Sequence, residues 1–221
     1  MSPHFELNHI GGLRILYVMA VDAEYGACSR ALFKPLFTGV GPVESAICLG
    51  KTLAELAARG GLPDLVVSLG SAGSARLVKT QVYQASSLAY RDMDASLLGF
   101  EKGTTPFLNL PPVIELPLMI PSVAQASLST GANIVTGADY AAIDADMVDM
   151  ESYAVLRACQ QFNVPFMGLR GISDGDAALT GLADWTAHLH TVDQNLAHAC
   201  GLLEAALLGG WAANLHSQNH T

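Results

Sequence analysis

Residues 150–174 read MESYAVLRACQQFNVPFMGLRGISD, and this stretch sets the expected fold. Its first part predicts a helix from Met150 to Gln161, and the apolar run from Pro165 to Ile172 predicts a buried strand. A helix that leads directly into a buried strand is the repeating unit of layered α/β folds with a largely parallel sheet. The stretch therefore predicts an α/β protein with further units of the same kind on either side.

Such units are present on the N-terminal side. Pro42 suits the first turn of a helix, and apolar residues keep helical spacing from there until Gly60. The strand that follows this helix is expected to end at a glycine turn, Gly70 to Gly73. Short apolar runs predict five more strands: Leu13 to Val21, Pro35 to Thr38, Leu65 to Leu69, Gln81 to Ala89 and Asn133 to Thr136.

The C-terminal third completes the expected organisation. Apolar residues recur every three or four positions from Asp184 to Leu208 and predict a long helix with Asp184 as its N-cap. Five prolines between Thr104 and Pro121 predict an irregular surface excursion. At 221 residues one domain is expected, over residues 13–208, with an N-terminal extension at 1–12 and a C-terminal tail at 209–221.

Composition excludes several classes of function. A hydrophobic fraction of 51% excludes a disordered chain, and a net charge of −9 argues against nucleic acid or an anionic membrane as partner. The four cysteines are scattered without a CxxC pair, which favours free thiols in a reducing compartment. With no signal peptide or membrane span recognisable, we expect a cytoplasmic location. His188 and His190 face different sides of a helix, so no metal site is expected.

Ligands of open α/β sheets bind beyond the carboxyl ends of the strands. Acidic side chains stand there at Glu24, Glu151 and Asp174, although each also fits an ordinary solvated or capping carboxylate. Arg170 is harder to explain structurally, because an arginine inside an apolar strand needs a partner. We expect that partner to be Asp174, Glu151 or a ligand.

The pair Gly39-Val-Gly41 opens a helix after a strand, as a dinucleotide-binding loop would. Glu44 takes the place of the third glycine of that fingerprint and would repel a pyrophosphate. We therefore interpret the pair as a tight turn and expect no NAD binding.

Read together, these segments resemble the nucleoside phosphorylase/hydrolase superfamily, and most closely its 5′-methylthioadenosine/S-adenosylhomocysteine nucleosidase branch. The residues that carry the resemblance occur in the family's order: Ala20 to Glu24, Gly39 to Ala46, Gly70 to Gly73, Arg91 to Asp94, Val148 to Glu151, Phe162 to Phe166 and Arg170 to Asp174. The resemblance implies one α/β domain with a twisted, partly barrel-like mixed sheet flanked by helices. It also implies hydrolysis of the N-glycosidic bond of an adenine nucleoside, with no cofactor.

The resemblance also assigns roles. Asp174 would protonate the departing purine at N7, which needs an acid because it leaves poorly as an anion. Glu24 would activate water, and Arg170 would orient the carboxylate and the water. The remaining expected substrate-binding residues are Glu151 and Met150 at the ribose, Ser71, Ala72 and Gly73 where the backbone approaches the nucleoside, Tyr140 and Ala141 at the purine, and Ser173 beside Asp174.

Three departures from the family pattern stand out. The segment between Glu24 and Gly39 is short, the order of residues 137–140 is permuted, and Ser152 replaces a smaller residue. Phosphorylase relatives often hold phosphate with an arginine where this chain has Ser68, and a hydroxyl cannot neutralise phosphate as a guanidinium can. Water is therefore the expected nucleophile.

Two alternatives stay open. A phosphate-dependent purine nucleoside phosphorylase is the first. A non-catalytic nucleoside-binding module is the second, although binding alone needs no paired acid and base. The expected partners are a small-molecule adenine nucleoside and a second copy of the chain in a homodimer, with residues 106–121 near that contact.

Overall fold

A computed structural model describes residues 5–175 and 180–211. The strands are β1 (Asn8–Ile10), β2 (Leu13–Met19), β3 (Leu36–Phe37), β4 (Leu65–Gly73), β5 (Val82–Tyr90), β6 (Val113–Glu115), β7 (Ala124–Thr130), β8 (Met147–Asp149) and β9 (Phe166–Asp174). The α-helices are α1 (Ala27–Arg30), α2 (Pro42–Ala57), α3 (Ser152–Gln161), α4 (Leu182–Thr186) and α5 (Leu189–Ala206). Short 3-10 helices cover Asp22–Glu24, Ser96–Leu98 and Gly137–Ala142.

Five strands close into a ring. β4 pairs with β9, β9 with β5, β5 with β7, β7 with β8, and β8 returns to β4. The β5–β9 and β4–β8 pairs are antiparallel, whereas β4–β9, β5–β7 and β7–β8 are parallel. This arrangement confirms the mixed, partly barrel-like sheet implied by the resemblance, and most of its paired residues lie on parallel strands, as the strand–helix units predict. β1, β2 and β3 extend the sheet beyond β4.

Helices cover both faces of the sheet. On one face, α5 packs Val192, Leu196 and Leu203 against the buried side chains of β2, β4 and β9. On the other, α2 and α3 pack together and bury side chains such as Leu53 and Val155. Burying each such side chain contributes roughly 1.5–3 kcal/mol, so these apolar faces hold the strand ends in fixed positions.

Several predicted boundaries need correction. β4 continues through the expected turn at Gly70–Gly73, because these residues pair with β9 up to Asp174. The predicted strand at 133–136 is a loop, and the strand at this place is instead β7, whose apolar signal is weak. The predicted helix over 184–208 is divided into α4 and α5, and Gly181 rather than Asp184 stands at the N-cap of α4.

The proline-rich segment also differs from the expected surface excursion. It contains β6, which pairs with β5, and it buries Leu116, Leu118 and Ile120. The side-chain amide of Gln84 both donates to the Leu118 carbonyl and accepts from the Ile120 N–H group. Part of this segment therefore packs against the hydrophobic core.

No helix within the described ranges has the length and apolarity that a membrane crossing requires. The four cysteines are free, with Cys159 and Cys200 buried and Cys28 and Cys48 half-buried.

Candidate active site

A cavity of about 590 Å³ lies at the carboxyl ends of β4, β8 and β9. Its volume is in the range of small-molecule sites. The cavity is lined by residues from eight segments, including Val21, Glu24, Val40, Ser71, Ala72, Gly73, Arg91, Ile134, Val135, Met150, Glu151, Asp174, Leu182 and Trp185. The structure thus brings together the three carboxylates that the sequence singles out.

Glu24 lies in the 3-10 helix that follows β2, and only 8% of its surface is exposed. Its Oε1 atom accepts two hydrogen bonds from Ser71, one from the main-chain N–H group at 2.7 Å and one from the hydroxyl at 2.6 Å. A side chain at Gly70 would begin 3.2 Å from Glu24 Oε2, so the glycine leaves room for the carboxylate. Burial raises the pKa of Glu24, and the two hydrogen bonds from Ser71 oppose that rise.

Glu151 precedes α3 and reaches the start of α2. Its Oε1 atom accepts a hydrogen bond of 2.8 Å from the Gly41 N–H group, and Gly41 has a φ angle of 93°, which favours glycine. The glycine pair interpreted from the sequence as a tight turn therefore also anchors a site carboxylate. Burial, and next the negative charge of Asp149, raise the pKa of Glu151 to about 7.

Asp174 ends β9 and is half-buried at the cavity. Its Oδ1 atom accepts a hydrogen bond of 2.6 Å from the Ser173 hydroxyl. Burial raises the pKa of Asp174, which favours the protonated form that a general acid needs.

Arg170 lies behind the carboxylates, buried within the sheet at 2% exposure. Its guanidinium forms an ion pair of 3.0 Å with Asp149 and donates to the Ser68 carbonyl, the Ser68 hydroxyl and the Ser152 hydroxyl. The ion-pair partner is therefore Asp149, and neither Asp174 nor Glu151 as expected. Ser152, which departs from the family pattern, supplies one of the acceptors.

A second, much smaller chamber lies between Arg170 and the carboxylates Glu24 and Glu151. It has a volume of about 10 Å³, which is close to the space that one water molecule occupies. Glu24, Ser68, Ser71, Glu151 and Arg170 are among its lining residues. A water there would be in reach of a carboxylate base.

The residues expected to bind the purine do not line the large cavity. Tyr140 is buried against Val135 and Val148 and does not line the large cavity. Within the described residues, its hydroxyl has no hydrogen-bond partner. A side chain at Gly73 would overlap that hydroxyl and come within 2.8 Å of Asp174 Oδ2, so both groups border the space beside this glycine. Ala141 is exposed, outside the cavity.

Sequence reasoning missed three residues of the site. Asp149 lies within a stretch that carries the family resemblance, and Trp185 lies in the predicted C-terminal helix, but neither is predicted as a site residue. Arg91 lines the cavity, and its two terminal nitrogens donate to the carbonyls of residues 129, 131, 133 and 149. For Arg91 the available signal was its place directly after β5. Among the residues described, no group of three or more His, Cys, Asp or Glu side chains is placed to hold a metal ion.

Comparisons with known proteins define the class first. A family model described as "Phosphorylase superfamily" matches residues 122–208. The chain is 35% identical over 159 residues to 5′-methylthioadenosine/S-adenosylhomocysteine nucleosidase of Haemophilus influenzae (strain PittEE), covering 63% of this chain and 67% of the relative. It is 30% identical over 156 residues to the nucleosidase of the same name of Staphylococcus aureus (strain MRSA252), covering 62% and 66%. The chain belongs to the 5′-methylthioadenosine/S-adenosylhomocysteine nucleosidase family.

Solved structures agree on the fold. The nucleosidase of Neisseria meningitidis in complex with methylthio-immucillin-A superimposes with a TM-score of 0.70 at 19% identity, covering 88% of this chain and 98% of that one. A mutant futalosine hydrolase of Helicobacter pylori gives 0.71 at 20% identity, covering 85% and 96%. The family resemblance and the fold class predicted from the sequence are both confirmed.

Proposed function

We propose that this chain hydrolyses the N-glycosidic bond of an adenine nucleoside, such as 5′-methylthioadenosine or S-adenosylhomocysteine, and releases adenine. Family membership supports the reaction class. The observation that carries the proposal is one cavity lined by two carboxyl groups in different surroundings: Glu24, buried and held by two hydrogen bonds from Ser71, and Asp174, half-buried and held by a hydrogen bond from Ser173. Two carboxyl groups in different environments can take opposite proton roles.

Asp174 is the general acid. Its raised pKa keeps the proton on the carboxyl group at higher pH, and it gives that proton to N7 of the purine as the bond from C1′ to N9 breaks. Ser173 holds Oδ1 of Asp174 by its hydrogen bond, and Oδ2 is the oxygen that gives the proton to the base. The sugar then carries positive charge, as in other glycosyl transfers.

Glu24 is the general base. Its Oε1 atom is occupied by both donors of Ser71, so Oε2 is the atom that accepts the proton of the attacking water. The oxygen of that water bonds to C1′ of the sugar. The small chamber between Glu24 and Glu151 has space for one water molecule at the required side.

Glu151 and Met150 bind the ribose. One oxygen of Glu151 is held by Gly41, and the second accepts hydrogen bonds from the 2′- and 3′-hydroxyls. Met150 lines the cavity beside it and packs against the sugar. Ser71, Ala72 and Gly73 supply the backbone wall, with Gly73 leaving room for the groups around Asp174.

In this scheme Tyr140 and Ala141 are the residues for the purine, although neither lines the large cavity. The Tyr140 hydroxyl and Asp174 Oδ2 both border the space beside Gly73, so the tyrosine is near the group that protonates the base. Substrate entry from the cavity would bring the purine to this side. We propose that the ring of Tyr140 packs on the purine and that the main chain at Ala141 reads its edge.

Water is the nucleophile in preference to phosphate. Among the described residues, the one guanidinium that lines the large cavity belongs to Arg91, whose terminal nitrogens already donate to four main-chain carbonyls. Ser68 is engaged with Arg170. The carboxylates Glu24 and Glu151 would repel a phosphate dianion in the same space.

We further propose a cytoplasmic homodimer that binds neither nucleic acid nor membrane. Val43 and Ile47 stand one turn apart on α2 and are 66% and 62% exposed. Leu97 and Phe107 expose further apolar surface near the proline-rich segment. Apolar side chains of this size at the surface are typical of a protein interface. Free thiols fit a reducing compartment, and the net charge of −9 disfavours anionic polymers and surfaces.

The direct test is adenine release from 5′-methylthioadenosine and S-adenosylhomocysteine in phosphate-free buffer. The proposal expects turnover without phosphate and no increase when phosphate is added. Strict dependence on phosphate would indicate a phosphorylase. Absence of cleavage under both conditions, with binding retained, would indicate a nucleoside-binding module.

A further inference from the structure

Trp185 connects the rim of the cavity to Glu24. It lies on α4 and is half-buried, with its indole ring lining the cavity. The indole N–H group donates a hydrogen bond of 3.0 Å to the Ser71 hydroxyl. That hydroxyl in turn lies 2.6 Å from Glu24 Oε1. The three side chains form one continuous hydrogen-bonded chain.

The chemistry of the groups fixes the direction of this chain. An indole N–H group donates and does not accept, so the oxygen of Ser71 must accept from Trp185. The hydroxyl hydrogen of Ser71 then points to the carboxylate of Glu24, which accepts when ionised. Consecutive hydrogen bonds of this kind polarise and strengthen one another.

We propose that Trp185 is a positioning residue for the base, acting through Ser71 to hold the Glu24 carboxylate in one orientation. This inference rests on the proposed function, since it names a further residue for the same reaction. Trp185 does not take the proton. It keeps the Ser71 hydroxyl as a donor to Oε1, so that Oε2 remains directed to the attacking water.

Other charges around Glu24 come from different elements. Arg170 on β9 favours the ionised form, whereas Asp149 on β8 and Glu151 before α3 disfavour it. On the α5 side, Asp193 is turned away to the N–H groups of Cys28 and Ser29. Replacing Trp185 leaves these charges in place, so its effect on pH dependence is separable from theirs.

A purely structural role makes different predictions. If Trp185 only filled the rim, phenylalanine would replace it with little change in kcat or in the pH profile, and alanine would mainly raise KM. If it positions Glu24, the decisive feature is the N–H group, which Trp185→Phe removes while keeping an aromatic ring.

The activity experiment compares Trp185→Phe, Ser71→Ala, their double variant and the control Trp211→Phe. Trp211 lies near the end of the described chain, away from the cavity. We expect Trp185→Phe to lower kcat about 3- to 10-fold, the loss of one hydrogen bond, with KM within about twofold. We expect the acidic limb of its kcat–pH profile to move to higher pH, because the ionised form of Glu24 loses support.

The double variant tests the connection. Trp185→Phe should add little to the loss already caused by Ser71→Ala, because both changes break the same chain. Additive losses, or a Trp185→Phe enzyme with the kcat and pH profile of the unmodified protein, would overturn the proposal.

A second readout does not depend on activity. In Trp211→Phe, Trp185 is the one remaining tryptophan, and its emission should change with pH as Glu24 titrates. Adding Glu24→Gln should remove the part of that change that comes from Glu24, while the part from Glu151 and Asp174 in the same cavity remains. An emission change with the same size and midpoint in Glu24→Gln would contradict the connection, whatever the substrate. If no nucleoside is cleaved, the proposed function fails while this measurement still decides the inference.

Discussion

Arg170 and Asp149 form a buried ion pair, with 3.0 Å between Arg170 Nη2 and Asp149 Oδ2. Their side chains are 2% and 1% exposed, beneath the carboxylates of the site. Asp149 also accepts from the Thr130 hydroxyl and the Ser152 N–H group, so the pair is fully enclosed in hydrogen bonds. The ion pair therefore fixes the part of the sheet that lies behind Glu24 and Glu151.

Removing one partner of this pair should destabilise the protein strongly. Arg170→Met leaves the Asp149 charge buried and unpaired, which typically costs about 3–5 kcal/mol of unfolding free energy. Urea denaturation measures the loss. Arg14→Met is the matched control, because its ion pair with Asp64 is a third exposed and should contribute about 1 kcal/mol or less. Equal losses of unfolding free energy in the two variants would contradict this structural role of the buried ion pair.

Asp174→Asn should retain the fold and lose turnover. An amide cannot deliver a proton to the purine, and general acid catalysis typically contributes ~10²–10⁴-fold. Adenine release measures the loss, and the thermal midpoint shows whether the variant is folded. A folded variant with unchanged turnover would remove Asp174 from the acid role.

Gly73→Ala should reduce activity because the new methyl group overlaps the Tyr140 hydroxyl and crowds Asp174. Tyr140→Phe removes that hydroxyl and should itself leave stability unchanged or raised, since the buried oxygen has no partner among the described residues. The overlap should also lower the stability of Gly73→Ala, and the double variant should recover part of that stability. If it recovers none, the overlap with the Tyr140 hydroxyl is not the cause of the loss.

The stability of the unliganded protein should depend on Glu151 in a defined direction. Its pKa is raised from 4.5 to about 7 on folding, so the folded protein favours the protonated form. The contribution of Glu151 to stability is therefore fully present below about pH 4.5 and is lost as the pH rises to about 7.

Glu151→Gln removes this titration. The stability of the variant relative to the unmodified protein should increase between pH 4.5 and 7.5, as measured by urea denaturation at both values. Glu44→Gln, on the exposed first turn of α2, is the control for the loss of one carboxylate. A difference for Glu151→Gln that does not vary with pH would refute this assignment.

The sequence predicts the strand–helix units well because their signals are local. The apolar runs that become β2 and β9, and the proline that begins α2, need no knowledge of distant contacts. β7 escapes prediction because four of its seven residues are polar and Leu128 is its one large apolar side chain, so its pairing with β5 and β8 is what makes it a strand. Ring closure likewise depends on contacts between distant segments.

The site residues also divide into those that the local sequence predicts and those that depend on distant contacts. The positions of Glu24, Glu151 and Asp174 follow from strand ends, and the structure places all three in one cavity. The partner of Arg170 could not be derived from spacing, because Asp149, Glu151 and Asp174 all lie near it in the sequence. The hydrogen bond from Trp185 to Ser71 joins residues that are 114 positions apart, and no local sequence pattern predicts it.

We expect water, held by Glu24, to attack the sugar. The most direct measurement is mass spectrometry of the products of 5′-methylthioadenosine formed in phosphate buffer, where both nucleophiles compete. We expect adenine and free 5-methylthioribose in equal amounts. Formation of 5-methylthioribose 1-phosphate as the sugar product would contradict it.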